Sequence, residues 1–211
     1  MTEPLGALRQ FLQRPRAGPG EKCEMCATPL SGDHRHLVNI ETRQILCSCR
    51  PCHLLFTHSG AGRGKYRAVP DRRVYDPSFN LSEAHWDRLQ IPVRMAFFFF
   101  NSTLDRNVAF YPGPAGATES LLALDAWRDL VEDNPALARL APDVEALLVY
   151  GGQGRSGFEC FIVPINVCYE LVGRVRLHWQ GFSGGEEAWR AIGEFFAALR
   201  ATSEVAKGGL Q

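Results

Sequence analysis

The sequence predicts an α+β protein, with a small N-terminal cysteine module followed by a mostly antiparallel sheet covered by helices. Three observations carry this. Two cysteine pairs, Cys23-x2-Cys26 and Cys49-x2-Cys52, lie close together near the start of the chain. From about residue 93 to 163, short apolar runs follow one another between turn residues, as strands do. After Pro164 and again after Gly185, apolar residues recur at helical spacing. Strands and then helices, in blocks, argue for α+β rather than a parallel α/β sheet. At 211 residues the chain has room for one ordinary core and one minor module. Its 45% hydrophobic and 22% charged residues are the balance of a chain that folds.

Charge excludes some functions. Lys and Arg number 23, as do Asp and Glu, so no global field gathers nucleic acid or anionic membrane, and neither is expected as a partner. The longest apolar stretch, Met95 to Phe100, is too short to span a bilayer. Met1 to Gly20 has no signal-like apolar core, so a cytoplasmic location is expected. Seven cysteines, an odd number clustered in pairs, then point to thiolate metal ligands rather than a disulfide framework.

The elements are read in order. Residues 1–20 hold a short amphipathic helix (Leu5, Leu8, Phe11, Leu12) and a Pro/Gly linker, packing back on the chain or docking a partner. Residues 21–58 form the four-cysteine module, with strands at His36–Ile40 and Arg43–Leu46 and an apolar strand or helix start at His53–Phe56. Residues 59–74 are a Gly/Arg-rich connection (Gly60, Gly62, Gly64, Arg63, Lys65, Arg67, Arg72, Arg73), expected to be flexible and solvated or to meet an acidic partner. Ser59 and Tyr66 break the pattern of a phosphate-binding loop there.

Residues 75–203 form the α+β domain. Ser82 caps a short helix with Trp86 and Leu89; Val93 to Phe100 is a strand apolar enough to be buried on both faces. Strands at Asn107–Tyr111 and Thr118–Leu124 complete a meander. Asp125 has the position of an N-cap for a helix carrying Trp127, Leu130 and Val131, stopped by Asn134-Pro135. Val144–Tyr150 and Gly157–Val163 are strands joined through Gly151 to Gly154. Two helices follow, one with Cys168, Leu171, Val172 and Val175, the other with Trp189, Ile192, Phe196 and Leu199. The helices are expected on one face of the sheet, and residues 204–211 as a disordered tail.

Tetrahedral zinc needs four soft donors, and two short gaps that each present two thiolates supply them. Cys23, Cys26, Cys49 and Cys52 are the expected metal ligands, on two equivalent knuckles closed by a hairpin, which makes the module zinc-ribbon-like. Cys47 would strain the bite beside Cys49 and reads as a neighbour. His34, His36 and His53 are replacement donors or partners of the ligands, though ordinary hairpin placement accounts for each. The spacing resembles rubredoxin-type iron sites, but that family has Gly after each knuckle where this chain has Ala27 and His53. Zn2+ is therefore expected, with Fe and a rubredoxin-like electron carrier as the alternative. Cys47-x-Cys49-x2-Cys52 also resembles part of an iron–sulfur run, which ranks third.

Over about thirty residues, Asp33-His34 with Cys49-Arg50-Pro51-Cys52-His53 resembles HNH metal-dependent nucleases. The Pro and Gly-Gly that usually follow the Asp-His are missing, as is the Asn-Leu pair, so cleavage of a polyanion is the less favoured reading. Elsewhere Cys160, Cys168 and His178 could suggest a nucleophile and base, but both cysteines occupy apolar positions and read as core. The turn Gln180 to Gly185 reads as a plain interhelical connection, since Glu186 and Glu187 already satisfy the helix dipole.

Taken together, the cysteine pairs, Tyr66-Arg67-Ala68-Val69-Pro70, Pro142 to Val149 and Cys168-Tyr169-Glu170-Leu171-Val172-Gly173 resemble an uncharacterised bacterial family. That family is largely actinobacterial and is encoded beside oxygen-tolerant NiFe hydrogenases. The resemblance spans nearly the whole chain. It implies a cytoplasmic accessory factor, for hydrogenase maturation or electron transfer, with a hydrogenase subunit or maturation factor as protein partner. It defines no catalytic residue.

Overall fold

The computed structural model describes residues 21–58, 60–121, 124–134, 137, 139–152, 157–181 and 183–206, without the side chains of Leu124 and Asp125. The expected N-terminal helix and half of the Gly151–Gly154 loop lie outside what is described, and Asp125 is not the cap expected of it, because the helix already includes Leu124.

Among the described residues the chain builds two sheets. A three-stranded antiparallel sheet, in the order β2-β1-β3, is formed by β1 (Arg35–Asn39), β2 (Gln44–Ser48) and β3 (Tyr66–Ala68). Between β2 and β3 lies helix α1 (Arg50–Thr57). The larger sheet has seven strands in the order β10-β4-β9-β8-β5-β6-β7. They are β4 (Val74–Asp76), β5 (Met95–Asn101), β6 (Arg106–Gly113), β7 (Gly116–Ser120), β8 (Glu145–Tyr150), β9 (Glu159–Pro164) and β10 (Glu204–Val205). All neighbours are antiparallel except β10 with β4. The helices are α2 (Glu83–Leu89), α3 (Leu124–Asp133), α4 (Ile165–His178) and α5 (Gly185–Thr202). This is the expected α+β architecture.

Period-two alternation explains the layers. On β5, Met95, Phe97 and Phe99 join a core with Leu148, Phe161 and the apolar faces of α4 and α5. Ala96 and Phe98 point the other way, into a second core with Leu147, Ile162, Trp86 of α2, and Trp127 and Leu130 of α3. Phe98 stacks on Trp127 with ring centroids 5.2 Å apart, and Tyr150 on Phe196 at 4.0 Å. Helices therefore cover both faces of the sheet, where one was expected. The same apolar β5 that reads as buried on both sides requires a second layer. Ser82 caps α2 as expected, its Oγ accepting the His85 N–H at 3.1 Å.

Residues 65–74 are more than the solvated connection expected of them. β3 pairs with β1, Val69 is buried in the larger core, and Arg67 and Arg72 reach carboxylates of the second domain. An unpaired flank of β1 and two buried carboxylates are both satisfied by this segment. Glu204 and Val205 are likewise ordered, pairing beside β4 where the tail was expected to be disordered. Their backbone bonds, Glu204 N–H to the Arg73 carbonyl at 3.0 Å and Ala206 N–H to Tyr75 at 2.9 Å, cover the sheet edge.

Candidate metal centre

The first cysteine pair sits on a tight turn. Ala27 N–H donates to the Cys23 carbonyl at 2.7 Å and Cys23 N–H to Thr28 at 2.8 Å, which folds the two thiols toward each other. Ala27 closes the turn with φ +61°, a left-handed conformation that glycine adopts more readily. Glu24 ties this turn to β2: its N–H donates to the Cys47 carbonyl at 2.9 Å and its carboxylate accepts the Cys47 N–H at 2.6 Å.

The second pair is built differently. Cys49 is the N-cap of α1 and Cys52 lies in its first turn, so the pair straddles a helix start rather than a second, equivalent knuckle. Pro51 accounts for this, because its fixed φ and missing N–H suit the first helical turn. The unpaired N–H groups and positive dipole end there favour thiolates.

Hairpin and helix start bring all four sulfurs together. The Sγ atoms of Cys23, Cys26, Cys49 and Cys52 lie within 4.8 Å of one another, and those of Cys26 and Cys49 are 3.7 Å apart. Sulfurs bound tetrahedrally at about 2.3 Å are about 3.8 Å apart, so the spacing suits one ion. None of the seven cysteines is in a disulfide. Cys23 and Cys52 are buried and Cys26 is exposed, so the cluster has an inner and an outer side.

Electrostatics splits the quartet. Hydrogen bonding from the Thr28 side chain, then from its backbone, lowers Cys26 to about 6. Burial raises Cys52, and the neighbouring thiols raise it further. Four negative sulfurs cannot share so small a volume unaided, and a cation among them removes the conflict. Four such thiols can hold a metal ion.

Cys47 stands outside the quartet, as its spacing predicts. It instead meets His34 and His36, the three donor atoms lying within 4.8 Å of one another. Sequence spacing alone does not assemble this trio. Its signal was the hairpin register, which sets His36 directly across from Cys47 and places His34 two residues before His36. His53 lies on α1 and lines the groove beside them, with its Nδ1 buried and unpartnered.

The other candidates are structural. Cys160 and Cys168 are fully buried, and burial raises both thiols. His178 is 3.1 Å from Glu187 across the α4–α5 turn. That turn takes positive φ at Gly181, Gly184 and Gly185. Strand, strand and helix do follow the order of an HNH unit, but Asn39 uses its Oδ1 to accept the Glu41 and Thr42 N–H groups in the hairpin turn.

Fold and site define a class of protein: an α+β domain carrying a hairpin module whose four-cysteine cluster could hold a metal ion. Residues 22–203 match a family of unknown function, DUF5947, and the chain belongs to that family. No curated protein and no solved structure matches it. Among the described residues no helix is long and apolar enough to cross a membrane.

Proposed function

We propose that the protein is a zinc-binding accessory factor, a binding or maturation factor of a NiFe hydrogenase system, acting through a protein partner in the cytoplasm. The observation that carries the metal reading is the convergence of four sulfurs within 4.8 Å. Cys23, Cys26, Cys49 and Cys52 would hold the ion, and the ion would fix the hairpin as a partner-facing surface. Zinc is favoured over iron because Ala27 and His53 stand where glycine would let backbone amides approach the sulfurs. The hydrogenase link rests on the family resemblance described above.

Metal analysis with an optical spectrum of the purified protein tests the metal. One colourless zinc per four-cysteine cluster is expected; a red protein with visible absorption would instead make it a rubredoxin-like iron carrier. Affinity purification with hydrogenase subunits and their maturation factors tests the partner. Retention that survives in the wild type and is lost on chelation is expected, and no retention of any of them would remove the hydrogenase assignment. Divalent-metal-dependent DNA cleavage lost in His34→Ala would replace both readings with a nuclease.

A further inference from the structure

We propose that His34, His36 and Cys47 form a second metal site, distinct from the four-cysteine cluster, for a borderline divalent ion of the zinc class. The trio is assembled by the hairpin. The antiparallel register sets Cys47 of β2 opposite His36 of β1, and His34, just before the strand and two residues from His36, brings its ring to 4.7 Å from the His36 ring. Val38 and Ile45, the next pair along this face, pack against the larger core, so the trio is held on the wall between module and domain. Its three donor atoms lie within 4.8 Å of one another.

His34 is prepared as a ligand. Its Nδ1 lies 3.0 Å from the Ser31 carbonyl and 3.4 Å from the Glu21 carboxylate, two acceptors that place the proton on Nδ1. The lone pair is then on Nε2. That atom is buried with no hydrogen-bond partner, on a side chain only 8% exposed. A buried acceptor left unpaired is costly, whereas an imidazole whose other nitrogen donates to a carbonyl is how proteins present histidine to metals. Cys47 has the same kind of support, since the Glu24 carboxylate and backbone fix its main chain on both sides.

Two imidazoles and one thiolate suit zinc and similar borderline ions, and exclude calcium and magnesium. Bonds of about 2.0–2.3 Å hold tetrahedral donors about 3.3–3.8 Å apart, so side-chain movements of about an ångström close the site. Three protein ligands leave a fourth position for water or an exchangeable ligand. His34 and His36 also line a groove of about 1240 Å³ through which such a ligand can arrive.

The test is zinc stoichiometry of the full-length, tag-free protein after gel filtration, with Zn2+ added alone as the probe. The wild type should carry two equivalents. Cys47→Ser and His34→Ala should each carry one, the retained equivalent showing that the hairpin still folds, and Cys47→His should restore two. Cys26→Ser that keeps one equivalent, lost when Cys47→Ser is added, would support this site whatever becomes of the four-cysteine reading. One equivalent in the wild type, unchanged by Cys47→Ser, would overturn the proposal, as would loss of all zinc in that variant.

Discussion

Arg72 clamps the buried carboxylate of Glu145 at two points, Nε to Oε1 at 2.9 Å and Nη2 to Oε2 at 2.8 Å. The pair joins the segment after β3 to the first residue of β8, 73 positions later in the chain. Beside it, Arg67 lies 3.0 Å from the buried Asp143 and donates to the Pro142 carbonyl at 3.1 Å. The cysteine module is thus anchored by ion pairs whose acidic members sit inside the larger domain.

That asymmetry predicts an order of costs. Glu145 is 4% exposed while the Arg72 side chain is about half exposed. Removing the arginine takes away both bonds of the clamp and leaves a buried anion that keeps the Ala141 N–H. Arg72→Ala should cost about 2–4 kcal/mol, and Glu145→Gln less, about 1–2 kcal/mol, because no charge is left buried and the amide oxygen still accepts from Arg72 and Ala141, although its NH2 then faces the Arg72 Nε–H. Urea unfolding curves measure both; equal losses would contradict the asymmetry, and negligible ones would mean that the clamp does not stabilise the fold.

Metal removal should act locally. Binding energy at a four-thiolate site is folding energy for whatever the site closes, here the turn at Cys23, the β1–β2 hairpin and the start of α1. After chelation, hydrogen exchange should accelerate in Arg35–Asn39 and Gln44–Ser48 while Met95–Asn101 and Glu145–Tyr150 keep their protection. Uniform loss of protection would make the two parts one cooperative unit.

The knuckle carries a removable strain. Ala27 holds φ +61° on an exposed turn, and a β-carbon there costs about 1 kcal/mol or slightly more. Ala27→Gly should therefore raise the melting temperature of the metal-loaded protein, the glycine's extra unfolded-state entropy offsetting only part of the gain. A lower melting temperature would contradict this.

Acid sensitivity should trace in part to α2. The Arg94 guanidinium beside Glu83, with bonds of 2.6 and 2.8 Å, holds that carboxyl below its ordinary value of 4.5. A depressed carboxylate stabilises the fold above its unfolded pKa, and the contribution disappears as pH falls through the folded one. Glu83→Gln should accordingly lower the melting temperature at neutral pH, with the difference from wild type closing once the pH has fallen below the lowered pKa of the folded carboxyl. A difference that persists at that pH would assign the effect to packing; Arg94 also lies over the Phe158 ring at 4.7 Å.

Much of this architecture is written locally. The strands and helices from Ser82 onward follow from short-range patterns: a capping hydroxyl, an apolar β5, helical spacing after Pro164. The metal quartet is legible for the same reason, because two Cys-x2-Cys gaps require only short turns. What escaped were contacts between distant residues. β3 and β10, each of three residues or fewer, carry too little pattern to be seen alone and exist because β1 and β4 offer them a partner. The arginines of residues 59–74 read as solvated charge because nothing near them in sequence reveals Asp143 or Glu145.

Local chemistry, then, established an α+β chain with four converging thiols, since spacing and alternation act over a few residues. Three-dimensional packing alone settled the rest. It laid helices on both faces of the sheet, turned a basic connection into an anchor, and set His34 and His36 against Cys47. Each of these depends on which surfaces a folded backbone brings into register, and hydrogen bonding and burial fix that only once the whole chain has closed.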